Sequence, residues 1–162
     1  MKYKMIVLSL AGLVLASLPC NAAVADFART HLGLDLTSFP FGSPPERFSE
    51  YERVVIADVT YLYGKPVPDR NAIPRHQVIL KFVHEKLVEI SIGFSGKEQN
   101  DELVRQFTRM SGIDPKKDKG TLEDGNEIFS FQDSVYQVAY KGMCSPRENS
   151  VAVFKFTAVK TP

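Results

Sequence analysis

"HQVILKFVHEKLVEISIGF", residues 76–94, holds two apolar runs on either side of His84-Glu85-Lys86, and the way these runs face each other decides the fold. A turn at Glu85-Lys86 would set Phe82 against Glu89 and Leu80 against Ser91, mixing polar and apolar side chains on both faces. A loop of His84-Glu85-Lys86 instead sets Phe82 against Val88, Leu80 against Ile90 and Val78 against Ile92, with Lys81 against Glu89. Side chains of a strand alternate between faces, so this second register gives one wholly apolar face and one cross-strand charge pair. The segment predicts an antiparallel hairpin with one buried face, and His84 as a solvated residue at its tip.

Downstream, Ser95-Gly96-Lys97-Glu98 reads as a capping box. Leu103, Val104, Phe107 and Met110 then follow at amphipathic spacing, and Gly112 is a stop, which predicts a helix over 97–111. "GIDPKKDKGTLEDGN" (112–126) is a mixed-sign charged loop. "NEIFSFQDSVYQVAYKG" (126–142) predicts a hairpin turning at Asp133-Ser134, with Phe131 opposite Tyr136 and Phe129 opposite Val138. "SVAVFKFTAV" (150–159) predicts a last strand with Ala152, Phe154, Phe156 and Ala158 on one face.

Upstream, "VVIADVTYLYG" (54–64) is rich in β-formers. Of its two parities, Ala57, Val59, Tyr61 and Tyr63 are the expected core face. "GKPVPDRNAIPR" (64–75) carries Pro66, Pro68 and Pro74, which excludes a central strand and predicts a long irregular connection. Before these, Ser43-Pro44-Pro45-Glu46 is another capping-box pattern with Pro at the first helical position, predicting a short helix over 44–51 that turns Phe48 and Tyr51 to the core. "AVADFARTHLGL" (23–34) spaces Val24, Phe27, Ala28 and His31 as one helical face, with Gly33 to close it.

The N-terminus reads as a leader. Lys2 and Lys4 precede a 14-residue apolar run, Met5 to Leu18, shorter than the roughly 20 residues a membrane-spanning helix needs. It fits the apolar part of a secretory signal peptide, and Cys20-Asn21-Ala22 and Ala23-Val24-Ala25 both offer small residues for cleavage. Cleavage after Ala22 is expected, giving a signal peptide over 1–22 and a single α+β domain over 23–162. Pro19 directly before Cys20 disfavours a lipidated lipoprotein start there. Removal of Lys2 and Lys4 leaves 18 basic against 19 acidic residues, a net charge of about −1, with no clustered basic surface for nucleic acid. The remaining Cys144 cannot form an internal disulfide. Beside Met143 it is expected as a reduced, shielded thiol in a monomer without an intermolecular bridge.

Catalytic and metal chemistry lack a constellation. His31, His76 and His84 are scattered, and there are no paired zinc cysteines, no phosphate-cradling glycine loop and no Gly-x-Ser-x-Gly elbow. Cys144 and His76 could form a nucleophile pair only if the fold brought them together. No cofactor is expected.

The element order, helix, strand, long loop, two strands, helix, three strands, reads as a duplicated unit of helix plus antiparallel strands. The unit that begins Phe41-Gly42-Ser43-Pro44-Pro45-Glu46 and ends in "FVHEKLVEISI" resembles the repeat of β-lactamase-inhibitor-protein-like proteins and small outer-membrane assembly lipoproteins. There, a Phe-Gly pair and a Ser/Thr-x-x-Glu helix start precede strands that close in an Asp-Gly-Lys-Leu hairpin. The resemblance spans about 39–157. It departs in lacking Leu-Gly at the first helix end, in its Pro-rich loop, and in Glu-Lys at the hairpin tip. It implies a sheet that binds other proteins.

These features together point to an exported, non-catalytic protein-binding domain, such as a periplasmic inhibitor or immunity protein against an envelope-targeting enzyme. A Pro-stiffened loop loses little entropy on entering a partner's cleft, so Lys65, Asp69, Arg70 and Arg75 are the expected polar contacts. The alternatives are an envelope-assembly or scaffold component, and a small enzyme or small-molecule carrier with a pocket between helix and sheet lined by Tyr61, Tyr63 and Phe107.

Overall fold

The computed structural model describes residues 23–64, 77–123, 125–143 and 151–159. It opens with α1 (Ala23–Leu32), which buries Val24, Phe27, Ala28 and Leu32 along one face. Gly33 takes a φ of 64°, and the Leu34 amide donates back to the Ala28 carbonyl at 3.0 Å, closing the helix end as its sequence predicts. Two single 3-10 turns follow, Leu36–Ser38 and Pro45–Phe48. The expected helix over 44–51 is only the second of these. The backbone of Gly42-Ser43 is drawn elsewhere, since the Gly42 amide donates to the Leu87 carbonyl and the Leu87 amide to the Ser43 carbonyl, both at 2.9 Å. Pro44 then occupies the cap without a side-chain hydrogen bond. Phe48 is buried and Tyr51 packs against the core, as expected.

The rest is one sheet and one long helix: β1 (Glu52–Ile56), β2 (Val59–Tyr63), β3 (Gln77–Val83), β4 (Lys86–Ser95), α2 (Lys97–Ser111), β5 (Thr121–Glu123), β6 (Asn126–Gln132), β7 (Tyr136–Met143) and β8 (Val151–Ala158). The eight strands lie in the order β1-β2-β3-β4-β8-β7-β6-β5, every neighbouring pair antiparallel. A helix followed by a four-stranded meander therefore occurs twice, and the two halves join where β4 pairs with β8. This is an α+β fold with a duplicated unit.

Residues 54–64 form most of a hairpin, not one strand. Ala57 and Asp58 both have positive φ, 46° and 64°, the two-residue turn whose twist matches that of the strands it joins. The expected burial parity is reversed. Thr60 and Leu62 are buried opposite Phe82 and Leu80, while Val59, Tyr61 and Tyr63 lie on the other face and Ala57 is exposed in the turn.

The decisive hairpin is right in its body and different at its tip. Lys81 pairs with Glu89, Leu80 with Ile90 and Val78 with Ile92, but the turn is His84-Glu85 alone, so Phe82 meets Leu87 instead of Val88. A bulge restores the register and leaves Val88 37% exposed. His84 is exposed at the tip, as expected. Its φ is 50° and that of Glu85 is 58°, angles that Asn and Gly adopt with less strain. His84→Asn combined with Glu85→Gly is therefore expected to raise stability by about 1 kcal/mol and the thermal midpoint by about 3–6 °C. A midpoint that is unchanged or lower would show that the native pair is not strained.

α2 spans the residues predicted, and Gly112 ends it with a φ of 75°. The predicted cap does not form, because Ser95 is the last residue of β4 and Gly96 stands at the helix start without a side-chain hydrogen bond. The charged loop contains β5. The β6–β7 pairing is two residues longer in the turn than predicted: Phe131 faces Val138 and Phe129 faces Tyr140. Asp133 Oδ1 accepts the amides of Val135 and Tyr136, both at 2.8 Å, which widens the turn. A slip of two keeps every side chain on its expected face.

Both helices and both 3-10 turns pack on one face of the sheet. Phe154 of β8, fully buried, lies 5.4 Å from Phe27, 6.2 Å from Phe107, 6.2 Å from Phe94 and 5.3 Å from Tyr140 between ring centroids. Ala152 and Phe156 are buried beside it, whereas Ala158 at the strand end is exposed. Phe39, Phe48 and Tyr51 form a second aromatic group that reaches the sheet at Phe82. No described helix is long and apolar enough to cross a membrane.

Candidate functional site

The helices leave the other sheet face open, and the alternation of strand residues fixes what it displays. Across the first three strands stand Val54 and Ile56, Val59, Tyr61 and Tyr63, and Ile79 and Val83, all of them half-buried apart from Ile56, which is 56% exposed. This is a contiguous apolar and aromatic half-face. Across the middle run Lys81, Glu89, Ser91 and Lys155, paired as Lys81 with Glu89 and Ser91 with Lys155. Glu89 Oε1 accepts the Ser91 hydroxyl at 3.0 Å and lies 4.0 Å from Lys155 Nζ. The last strands present Gln137, Ser130, Ala139, Thr157 and Lys141.

The half-face nearest β5 curls into a cleft of about 390 Å³. Ile128, Ala139 and Thr157 are among its lining, with Glu89 and Lys155 from the central strands and Leu122 and Glu123 from β5. Four intervening ladders separate β5 from β4 in the sheet, so residues of both can line one cleft only because the sheet is strongly curved toward this side. A second groove, of about 370 Å³, runs between α1 and α2 past Asp26, Thr30, His31, Gln106 and Arg109.

Among the described residues no imidazole stands beside the hydroxyls of the open face, since His31 sits on α1 and His84 at the β3–β4 tip. No group of three or more His, Cys, Asp or Glu among the described residues could hold a metal ion. The open face thus sets an aromatic and aliphatic surface beside Lys81, Lys155 and the half-buried Glu89 carboxylate.

Of the site residues expected from sequence, Tyr61 and Tyr63 lie on this face. The pocket they were to form with Phe107 does not exist, because Phe107 is fully buried against the helix-covered face and the two tyrosines point the other way. Lys65, Asp69, Arg70 and Arg75 lie outside the described residues, as do residues 1–22, His76 and Cys144. The sequence reading passed over Val54 and Ile56, which fell on the parity it set opposite the core, and Ile79, which fell on the charge-pair face of the hairpin. No family model, curated protein or solved structure matches this chain.

Proposed function

We propose that this is an exported, non-catalytic protein-binding domain whose open sheet face grips another protein, as a periplasmic inhibitor or immunity protein against an envelope-targeting enzyme would. The observation that carries the reading is the apolar half-face of β1–β3, rimmed by Lys81, Lys86 and Glu52 and left uncovered by both helices. Large exposed apolar patches with a polar rim are uncommon on monomers without a binding role. Tyrosine supplies contact area with few rotatable bonds to freeze. Export rests on the leader expected over 1–22, and the absence of a covalent dimer on the expectation that Cys144 is shielded; both are part of the proposal.

The test is capture from an envelope extract with a matched pair of variants. The wild-type chain is expected to retain a stoichiometric partner, and Tyr61→Ala with Tyr63→Ala to weaken that binding by about 10- to 100-fold. Gln132→Ala, at the opposite end of the same face, is expected to leave it unchanged. Recovery of no stoichiometric partner, or equal retention by all three chains, would overturn the reading.

A further inference from the structure

We infer that β1 is a self-pairing edge, onto which a second copy of this chain adds its own β1, antiparallel, about a two-fold axis at Val54. This edge borders the open face, and the backbone pairing it offers does not depend on the partner proposed above.

The two ends of the sheet differ. Among the described residues β1 and β5 are its edge strands, and they hold equivalent places in the two halves. β5 has three residues and directly follows Lys116-Lys117-Asp118-Lys119-Gly120, and short strands beside charge are how natural sheets blunt an edge. β1 has five residues, pairs with β2 in an unbroken register, and carries Val55 at 60% and Ile56 at 56% exposure. The Ile56–Val59 pair closes the two-residue turn, so ladder bonds to β2 fall at Glu52, Val54 and Ile56. Arg53 and Val55 consequently aim their amides and carbonyls at the open edge, a template for another strand.

Self-complementarity selects the occupant. An axis at Arg53 would oppose Arg53 to its own copy, and an axis at Val55 would oppose Glu52 to Asp58. An axis at Val54 opposes Val54 to Val54, Arg53 to Val55 and Glu52 to Ile56, so all five residues pair and no like charges face each other within the strand. Both exposed apolar residues of the edge are then covered. Glu50 and Asp58 of opposite copies approach beyond the strand ends, so association strengthens with salt. Five residues a side bury far less than the roughly 1,200 Å² of a stable complex. The dimer is therefore weak, half-formed at roughly 100 μM.

The register gives a sharp test in a chain carrying Cys20→Ser and Cys144→Ser. Val54 would face its own copy as a non-hydrogen-bonded pair, with Cα atoms about 4.5 Å apart, within disulfide range. Ile56 would lie four residues out of register with its own copy. Val54→Cys is thus expected to form a disulfide dimer about tenfold faster than Ile56→Cys, although Ile56 is the more exposed of the two. In parallel, sedimentation of the wild-type chain is expected to show association that Val55→Pro abolishes. Proline there removes an outward amide and no bond to β2, and circular dichroism checks that the variant folds. Faster cross-linking of Ile56→Cys would overturn the inference, as would association retained by Val55→Pro. A wild-type chain still monomeric at about 1 mM would also overturn it and assign the edge to a strand of another protein.

Discussion

Phe154→Ala is expected to lower the free energy of unfolding by about 3–5 kcal/mol, a large part of the 5–15 kcal/mol by which domains of this size are stable. Phe154 is fully buried on β8, the strand at which the two halves of the sheet meet. Its ring lies within 6.2 Å of rings from α1, β4, α2 and β7, so truncation leaves a cavity that no single element can collapse to fill. Urea unfolding should show a lower midpoint with an unchanged slope, and Phe154→Leu should retain more than half of the lost stability. A loss under about 1 kcal/mol would mean that neighbouring rings repack freely. A changed slope would mean that the two halves no longer unfold together.

The core half of this molecule was legible because its signals are local or pairwise. α2 follows from apolar spacing and a terminal glycine, β8 from strict alternation, and the body of the β3–β4 hairpin from the single register that keeps Lys81 opposite Glu89 and all large apolar residues together. The errors fall at turns. Ala57-Asp58 and His84-Glu85 adopt left-handed conformations without the Asn or Gly that usually announces them, so one hairpin was read as a strand and another was given a turn one residue too long. Both predicted capping boxes failed for a shared reason. Ser43 and Ser95 are engaged by the sheet, Ser43 through its carbonyl to Leu87 and Ser95 as a residue of β4, and tertiary pairing overrides a local cap.

The open face was misread for a different reason. An open face carrying Val59, Tyr61, Tyr63, Ile79 and Val83 has the same alternation as a buried one, and periodicity alone does not say which side the helices cover. Thr60, a weaker hydrophobe, is 8% exposed, whereas Tyr61 beside it is half-buried on the open side. The parity with the more apolar residues is the one on the open face. Such an inversion arises because this sheet has two apolar parities, where a sheet with a solvated face has one.

Asp133→Ala is expected to cost about 2–3 kcal/mol, far more than loss of an ordinary turn residue, because this carboxylate ties the two halves together. Its Oδ1 accepts the amides of Val135 and Tyr136 at 2.8 Å and sets the width of the β6–β7 turn. Its Oδ2 accepts the Val24 amide of α1 at 3.0 Å, from a residue 109 positions away in sequence. That amide is one of the orphan donors at a helix start, and a carboxylate there also faces the positive end of the helix dipole. Asn separates the two roles. Asp133→Asn can keep Oδ1 in the turn but presents an amide nitrogen where Oδ2 stood, setting donor against donor at Val24. It is therefore expected to lose about 1–2 kcal/mol. Hydrogen exchange should speed up at Val24 in both variants, and at Val135 and Tyr136 only in the alanine variant. Equal protection at Val24 in wild type and Asp133→Asn would show that the long-range bond does not hold α1 in place.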